Sequence, residues 1–314
     1  MQFQTHNLPA DMGRLYPPDS HESKLTFRLT VPILARVLHL GEPGLLILYG
    51  IAGIAVLYMV LALSHKITGS QRAAFFVCLA VACTWPGETS FHEFYGGVYD
   101  GIALCFLLLA LSTESALLAG AAVFLAAWTE ERALIASAFL LLFWFNAGSR
   151  GRNRTIALLA AWTGYLAARL ILTNSFSLTV VTGNAGLPSL EGHIALIPIG
   201  IWTGLGGAWI IVGCSLIALF RQRRYWFAAG FCGLLGLTIL SAVLVMDVTR
   251  TMAYCLPAVF VALRVLMRCE PAKNLDKLAK IGAVASVLAP TFFVLGNTLL
   301  YLYPLPLQAI RWLR

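Results

Sequence analysis

Apolar residues run through this chain in nearly charge-free blocks of roughly 15–25, parted by short polar links. A helix needs about 20 apolar residues to cross a hydrocarbon core of roughly 30 Å. Main-chain polar groups in lipid are satisfied only within helices or closed barrels, and the alternation of barrel strands is absent. The pattern predicts an all-α, polytopic transmembrane helical bundle with about ten spans. They fall near 44–64, 72–86, 98–112, 114–128, 131–146, 154–173, 193–220, 225–246, 250–268 and 281–303. The third to fifth are short, which predicts tilted, broken or re-entrant helices there. Pro198, Pro257 and Pro290 fall within spans and predict kinks.

Ahead of the first span, Phe27, Val31, Leu34, Val37 and Leu38 recur at helical spacing, with Lys24, Arg28 and Arg36 nearby. That predicts an amphipathic helix lying on the membrane surface, bent or restarted at Pro32. No signal peptide opens the chain, and no soluble domain or short repeat interrupts it. The organisation is one membrane domain over 1–314: an outer segment with the amphipathic helix over 1–42, then the bundle over 43–314.

Composition agrees. The chain is 59% hydrophobic and 11% charged, and its mean hydropathy of +0.81 excludes an ordinary soluble domain. The net charge of +8 is no nucleic-acid footprint, because Lys and Arg sit mostly in four links. Those links, 65–72, 147–154, 221–224 and 268–280, all fall on one side of a ten-span bundle, which the positive-inside rule makes cytoplasmic. The opposite links, 87–97, 129–132, 174–192 and 247–249, are acidic or neutral apart from Arg132. The N-terminal segment then lies outside, so it either crosses unaided or follows a further helix in the natural chain. The seven cysteines show no metal or disulfide spacing and lie mostly in apolar runs.

Charges gather at span ends on the outer side. Asp100 opens a span in YGGVYDG, with Glu88, His92 and Glu93 just upstream. An acid in a first turn favours the helix dipole, so Asp100 alone is also an ordinary helix start. In WTEER, Thr129 is a candidate cap for a helix beginning at Glu130, with Glu131 in its first turn. Arg132 is unfavourable there and needs an anion, either a carboxylate or a phosphate. Trp162, Tyr165 and Arg169 share one helix face, and so do Asp247, Arg250 and Tyr254. Arg250 has a local partner in Asp247, whereas Arg169 has none at helical spacing. Acids and guanidinium groups on one face fit a phosphate-bearing substrate and a carboxylate general base.

The outer acids, then RLTVPILARVL, YDGIALCFLLLAL and TEERALIASAFLLL over residues 15–265, resemble small bacterial members of the GT-C class. These are integral-membrane glycosyltransferases that use polyprenyl-phosphate sugars. The resemblance implies an active site facing away from the cytoplasm, in a bacterial plasma membrane. It implies an acid in the first outer loop as base or metal ligand, at Asp19 with Glu22 as substitute, and leaves a divalent cation such as Mg²⁺ open. The class has a helix before that loop, which this chain lacks. For the second acid Glu88, Glu93 and Asp100 compete.

The function expected is transfer of a sugar from a polyprenyl-phosphate donor to an acceptor on the non-cytoplasmic face, in contact with the lipid bilayer and with no nucleic acid. The catalytic candidates are Asp19, Asp100, Glu130 and Glu131. Arg28, His92, Glu93, Arg132, Arg169, Asp247 and Arg250 are the substrate-binding candidates. Two alternatives stay open: a transporter or flippase of a lipid-linked or anionic solute, and a non-catalytic assembly protein. A transporter needs mid-membrane charge and a repeat; neither stands out here.

Overall fold

The computed structural model describes residues 27–91, 99–145, 148–175, 186, 190 and 193–312. They form an all-α bundle with one short hairpin. Helix α1 (Thr30–Val37) leads through Gly41 into α2 (Glu42–Thr68), the longest early helix. Pro32 and Pro43 sit in the first turns of these helices, where a missing N–H costs nothing. Ser70 then caps α3 (Gln71–Ala82) by accepting from the Ala73 amide, and one turn, α4 (Trp85–Glu88), follows.

Three short apolar helices come next, α5 (Asp100–Ser112), α6 (Ala116–Thr129) and α7 (Arg132–Trp144). Beyond them lie the long α8 (Gly148–Ser175), then α9 (Ile197–Leu205), α10 (Ala208–Arg221) and α11 (Tyr225–Val243). The last helices of the bundle are α12 (Val248–Ala253), α13 (Leu256–Leu266) and α14 (Ala272–Leu288). Strands β1 (Thr291–Leu295) and β2 (Thr298–Leu302) and a terminal α15 (Leu305–Trp312) close the chain.

Four stretches are long and apolar enough to cross a membrane: Glu42–Thr68, Ser149–Ser175, Tyr225–Val243 and Val248–Leu266. A fifth exists if α9 and α10, bent by 88°, count as one. The predicted kink at Pro198 is instead a helix start, and the bend lies at Gly206. Gly206 takes φ +54, and a Cβ there would meet the Ser286 and Thr84 side chains at 2.7 Å. Pro257 likewise starts α13 after a break at Tyr254 and Cys255.

The stretch Val248–Leu266 is the axis of the bundle, 94% buried over its most apolar window, against 17% for α8. The bundle therefore encases α12 and α13, and α8 turns most of its apolar side chains outward. Val259, Phe260, Leu263 and Leu266 join Phe139, Leu140 and Phe231 in the main core. A smaller core ties α1 to α2 and α5 through Val31, Ala35, Tyr49 and Tyr99.

The predicted span over 281–303 does not form. Pro290 forces Ala289 into an extended conformation (φ −83, ψ 129) and ends α14. Beyond it, TFFVL and TLLYL are β-branched and aromatic runs separated by Gly296 and Asn297. With Leu295 opposite Thr298 and Gly296 at φ +54, the two-residue turn has positive φ at its first position, as type II′ requires. The hairpin packs inward: Thr291 donates to the Cys83 carbonyl at 2.7 Å, and Phe293 lies against Trp85 with ring centres 4.7 Å apart.

Candidate functional site

Asp100 is the first residue of α5 and is 0% exposed. A buried carboxylate needs its lone pairs filled, and here the donors come from two other parts of the fold, α12 with its C-terminal cap and the single turn α4. Arg250 on α12 donates from Nε to Oδ2 at 2.7 Å and from Nη2 to Oδ1 at 3.3 Å, a bidentate fork. Tyr254 donates its hydroxyl to Oδ1 at 3.0 Å, and Trp85 donates Nε1 to Oδ2 at 3.4 Å. Trp85 is held from behind by Phe293 of the hairpin. The remaining face of Arg250 is taken as well. Its Nη1 donates to Asp247 at 2.9 Å, and Nη2 stands 3.6 Å from Glu130 Oε2.

Glu130 follows the last turn of α6 in extended conformation and is 1% exposed. Arg28, on the short lead into α1, places Nη2 2.9 Å from Oε2 and 3.2 Å from Oε1. Burial pushes the Glu130 carboxyl above its ordinary range, outweighing the attraction of Arg28 and Arg132. The expectation that Thr129 caps a helix starting at Glu130 is corrected here. The Thr129 hydroxyl donates to the Leu125 carbonyl at 2.7 Å, inside α6, and α7 starts at Arg132. Two helix ends, separated by Glu130 and Glu131, therefore present both acids sideways to the arginines.

Outside this saturated centre lies a more open layer. Arg132 is 16% exposed and Asp247 18%, and Arg132 reaches Asp247 at 3.6 Å and Glu130 at 3.7 Å. Those are loose ion pairs, and Arg132 Nη1 has no hydrogen-bond partner among the described residues. Glu131 is half-buried beside them. Burial alone would raise its carboxyl, yet Arg28, Arg169 and Arg132 together hold it below its ordinary range. Arg169 donates to the Tyr165 hydroxyl at 2.6 Å and lies over the Phe27 ring at 4.4 Å. Glu131, from another helix end, is the acid its charge acts on across space.

The structure thus gathers Asp100, Glu130, Glu131 and Asp247 with Arg28, Arg132, Arg169 and Arg250 at one end of the bundle. Asp19, Glu22, His92 and Glu93 lie outside the described residues. One participant, Trp85, was not foreseen as part of the site. Trp85 read as the end of an apolar run; its signal was the WPG start of a single turn. Glu88, in that same turn, is fully buried, and neither carboxylate oxygen has a hydrogen-bond partner among the described residues. Burial pushes its carboxyl up to about 8.

A divalent cation does not fit the described residues. No three His, Cys, Asp or Glu side chains among them converge as metal ligands, and guanidinium groups stand against the carboxylates of Asp100 and Glu130. At the opposite end of the bundle the pairs are exposed ones, Glu114 with Lys66 at 3.5 Å and with Arg150 at 3.3 Å. Comparison of the chain with protein-family models, with curated proteins and with solved structures finds no match.

Proposed function

We propose that this protein is a membrane glycosyltransferase that moves a sugar from a polyprenyl-phosphate donor to an acceptor at the non-cytoplasmic face. The observation that carries the reading is the layering of the charged cluster. Asp100, Arg250, Glu130 and Arg28 form a buried, mutually neutralised base. Above it, Glu131, Arg132, Arg169 and Asp247 keep partial exposure, and Arg132 Nη1, itself buried, has no hydrogen-bond partner among the described residues.

The open layer supplies what the chemistry needs. Arg132 and Arg169 hold the donor phosphate, because a planar fork matches phosphate oxygens two at a time. Glu131 receives the proton of the acceptor hydroxyl. The acceptor oxygen bonds to the anomeric carbon, the bond from that carbon to phosphate oxygen breaks, and polyprenyl phosphate leaves with the electron pair. Asp100 and Arg250 position this layer and do not touch substrate. Charge supports the face: the links at the far end carry Arg150, Arg152, Arg154, Arg223 and Arg224.

A second reading has its own support. Since each guanidinium nitrogen of Arg250 donates to a carboxylate, the cluster also serves a protein in which it only locks helix ends together. The deciding experiment is transfer from a panel of polyprenyl-phosphate sugars by purified protein carrying Arg132→Gln or Arg169→Gln. Loss of transfer with unchanged folding supports the enzyme. Absence of transfer by the native chain across the panel supports the lock.

A further inference from the structure

The hairpin has two outer edges, and the fold covers one of them. Leu295 and Thr298 flank the two-residue turn as the first bonded pair, so Phe293 with Leu300 and Thr291 with Leu302 are bonded as well. The residues between them turn their N–H and C=O groups away from the partner strand. On β1 these are Phe292 and Val294, and α12 meets both. The Thr249 hydroxyl donates to the Phe292 carbonyl at 3.2 Å and accepts from the Val294 amide at 3.1 Å. On β2 they are Leu299 and Tyr301, whose outward groups have no main-chain partner among the described residues. β1 packs against α9 and α12, whereas Thr298, Leu299, Leu300 and Tyr301 of β2 are exposed.

Hydrocarbon cannot cover that edge, because it offers a bare N–H no acceptor. Water suits the main chain but not the side chains, and TLLYL holds no Lys or Pro to keep another strand away. The edge therefore fits an added strand, and the strand that completes it is its own copy. A two-fold axis through Leu300 sets Leu299 opposite Tyr301 of the second copy, and both are outward-bonding residues. Each such pair exchanges both of its main-chain bonds, which leaves no outward group of Leu299 or Tyr301 bare on either copy. The apolar surface continues past the strand, since Met246, Leu295, Leu307 and Ile310 are also exposed. We infer that this protein pairs with a second copy of itself through β2, joining the two hairpins into one antiparallel sheet. The contact lies at the acid–arginine end, because Phe293 of the same hairpin packs on Trp85, which donates to Asp100.

The test measures the mass of the full chain in mild detergent by light scattering, together with cross-linking in membranes. The native chain should be a dimer. Leu299→Pro removes an outward N–H and leaves every bond within the hairpin in place, so it should give a monomer that melts as the native does. Leu299→Ala keeps that N–H and should stay dimeric. Across the axis the two Leu300 residues face each other with Cα atoms about 4.5 Å apart, within reach of a disulfide. Leu300→Cys should therefore give a covalent dimer under mild oxidation, well above the background of the native chain. Leu288→Cys, more exposed but on α14, should stay at background. A monomeric native chain overturns the inference, whether lipid, water or another part of the chain covers β2. So does a dimer that survives Leu299→Pro or dissociates with Leu299→Ala, and so does equal cross-linking at Leu288 and Leu300. Where Leu299→Pro fails to fold, the cross-link decides alone.

Discussion

Arg250 and Asp100, 150 residues apart in the chain, meet through a two-point fork at 2.7 and 3.3 Å inside the bundle. The pair joins the start of α5 to the start of α12, and Tyr254 and Trp85 complete the shell of the carboxylate. Removing one member leaves the other charged and buried, which costs about 3–5 kcal/mol. Asp100→Asn and Arg250→Gln should each lower the unfolding midpoint in detergent. The double variant should lose less than the sum of the two, and strict additivity would show that the pair is not coupled. Arg250→Lys should also be poor, because an ammonium cannot supply the planar fork.

Arg132 and Arg169 should behave differently, since neither is locked into the buried pairs. Substitution by Gln should leave the unfolding free energy within about 0.5–1 kcal/mol of native. Under the enzyme reading it should raise the KM for the donor, and Arg169→Lys should recover little. A variant that unfolds instead would place these arginines in the structural layer.

Glu88 gives a pH prediction with a definite sign. Its folded value of about 8 stands above the ordinary 4.5. Between those values the folded chain keeps a proton that the unfolded chain has released, so stability falls as pH rises from 4.5 to 8. The loss reaches the order of 4 kcal/mol by pH 8. Glu88→Gln should abolish that slope, stabilising the protein at pH 8 and leaving it unchanged at pH 4. Parallel melting profiles of the two proteins across this range would show that Glu88 is solvated or paired.

Orientation is open to direct labelling. With the native cysteines replaced by Ser, a Cys at Asn153 or Lys273 should resist an impermeant thiol reagent in intact cells. A Cys at Met246, exposed beside Asp247, should react. The reverse pattern would turn the acid–arginine cluster to the cytoplasm and remove the basis for the donor proposed here.

Much of the helical layout was legible because an apolar run bounded by charge has few options. The blocks at 44–64, 98–112, 114–128 and 131–146 match α2, α5, α6 and α7 to within a few residues. The pairing of Asp247 with Arg250, three residues apart on a helix, was legible for the same local reason. Distant pairs were not: nothing near Asp100 names Arg250, and nothing near Arg169 names Glu131. The hairpin was misread because TFFVLGNTLLYL is as apolar as a span. Its Gly-Asn step and the Pro290 ahead of it carried the signal that hydropathy concealed. Only four or five of the ten expected spans are long and apolar enough among the described residues, since several of these helices have fewer than 15 residues and protein covers much of their surface.

The most direct test of the central claim measures sugar transfer by purified native protein, Glu131→Gln and Arg132→Gln in liposomes, using a panel of polyprenyl-phosphate sugars and a total envelope acceptor fraction. The native protein should release polyprenyl phosphate in step with acceptor glycosylation, and both variants should fall by at least roughly 100-fold while melting as the native does. Transfer by either variant at the native rate, or no transfer by the native protein from any donor, would contradict it.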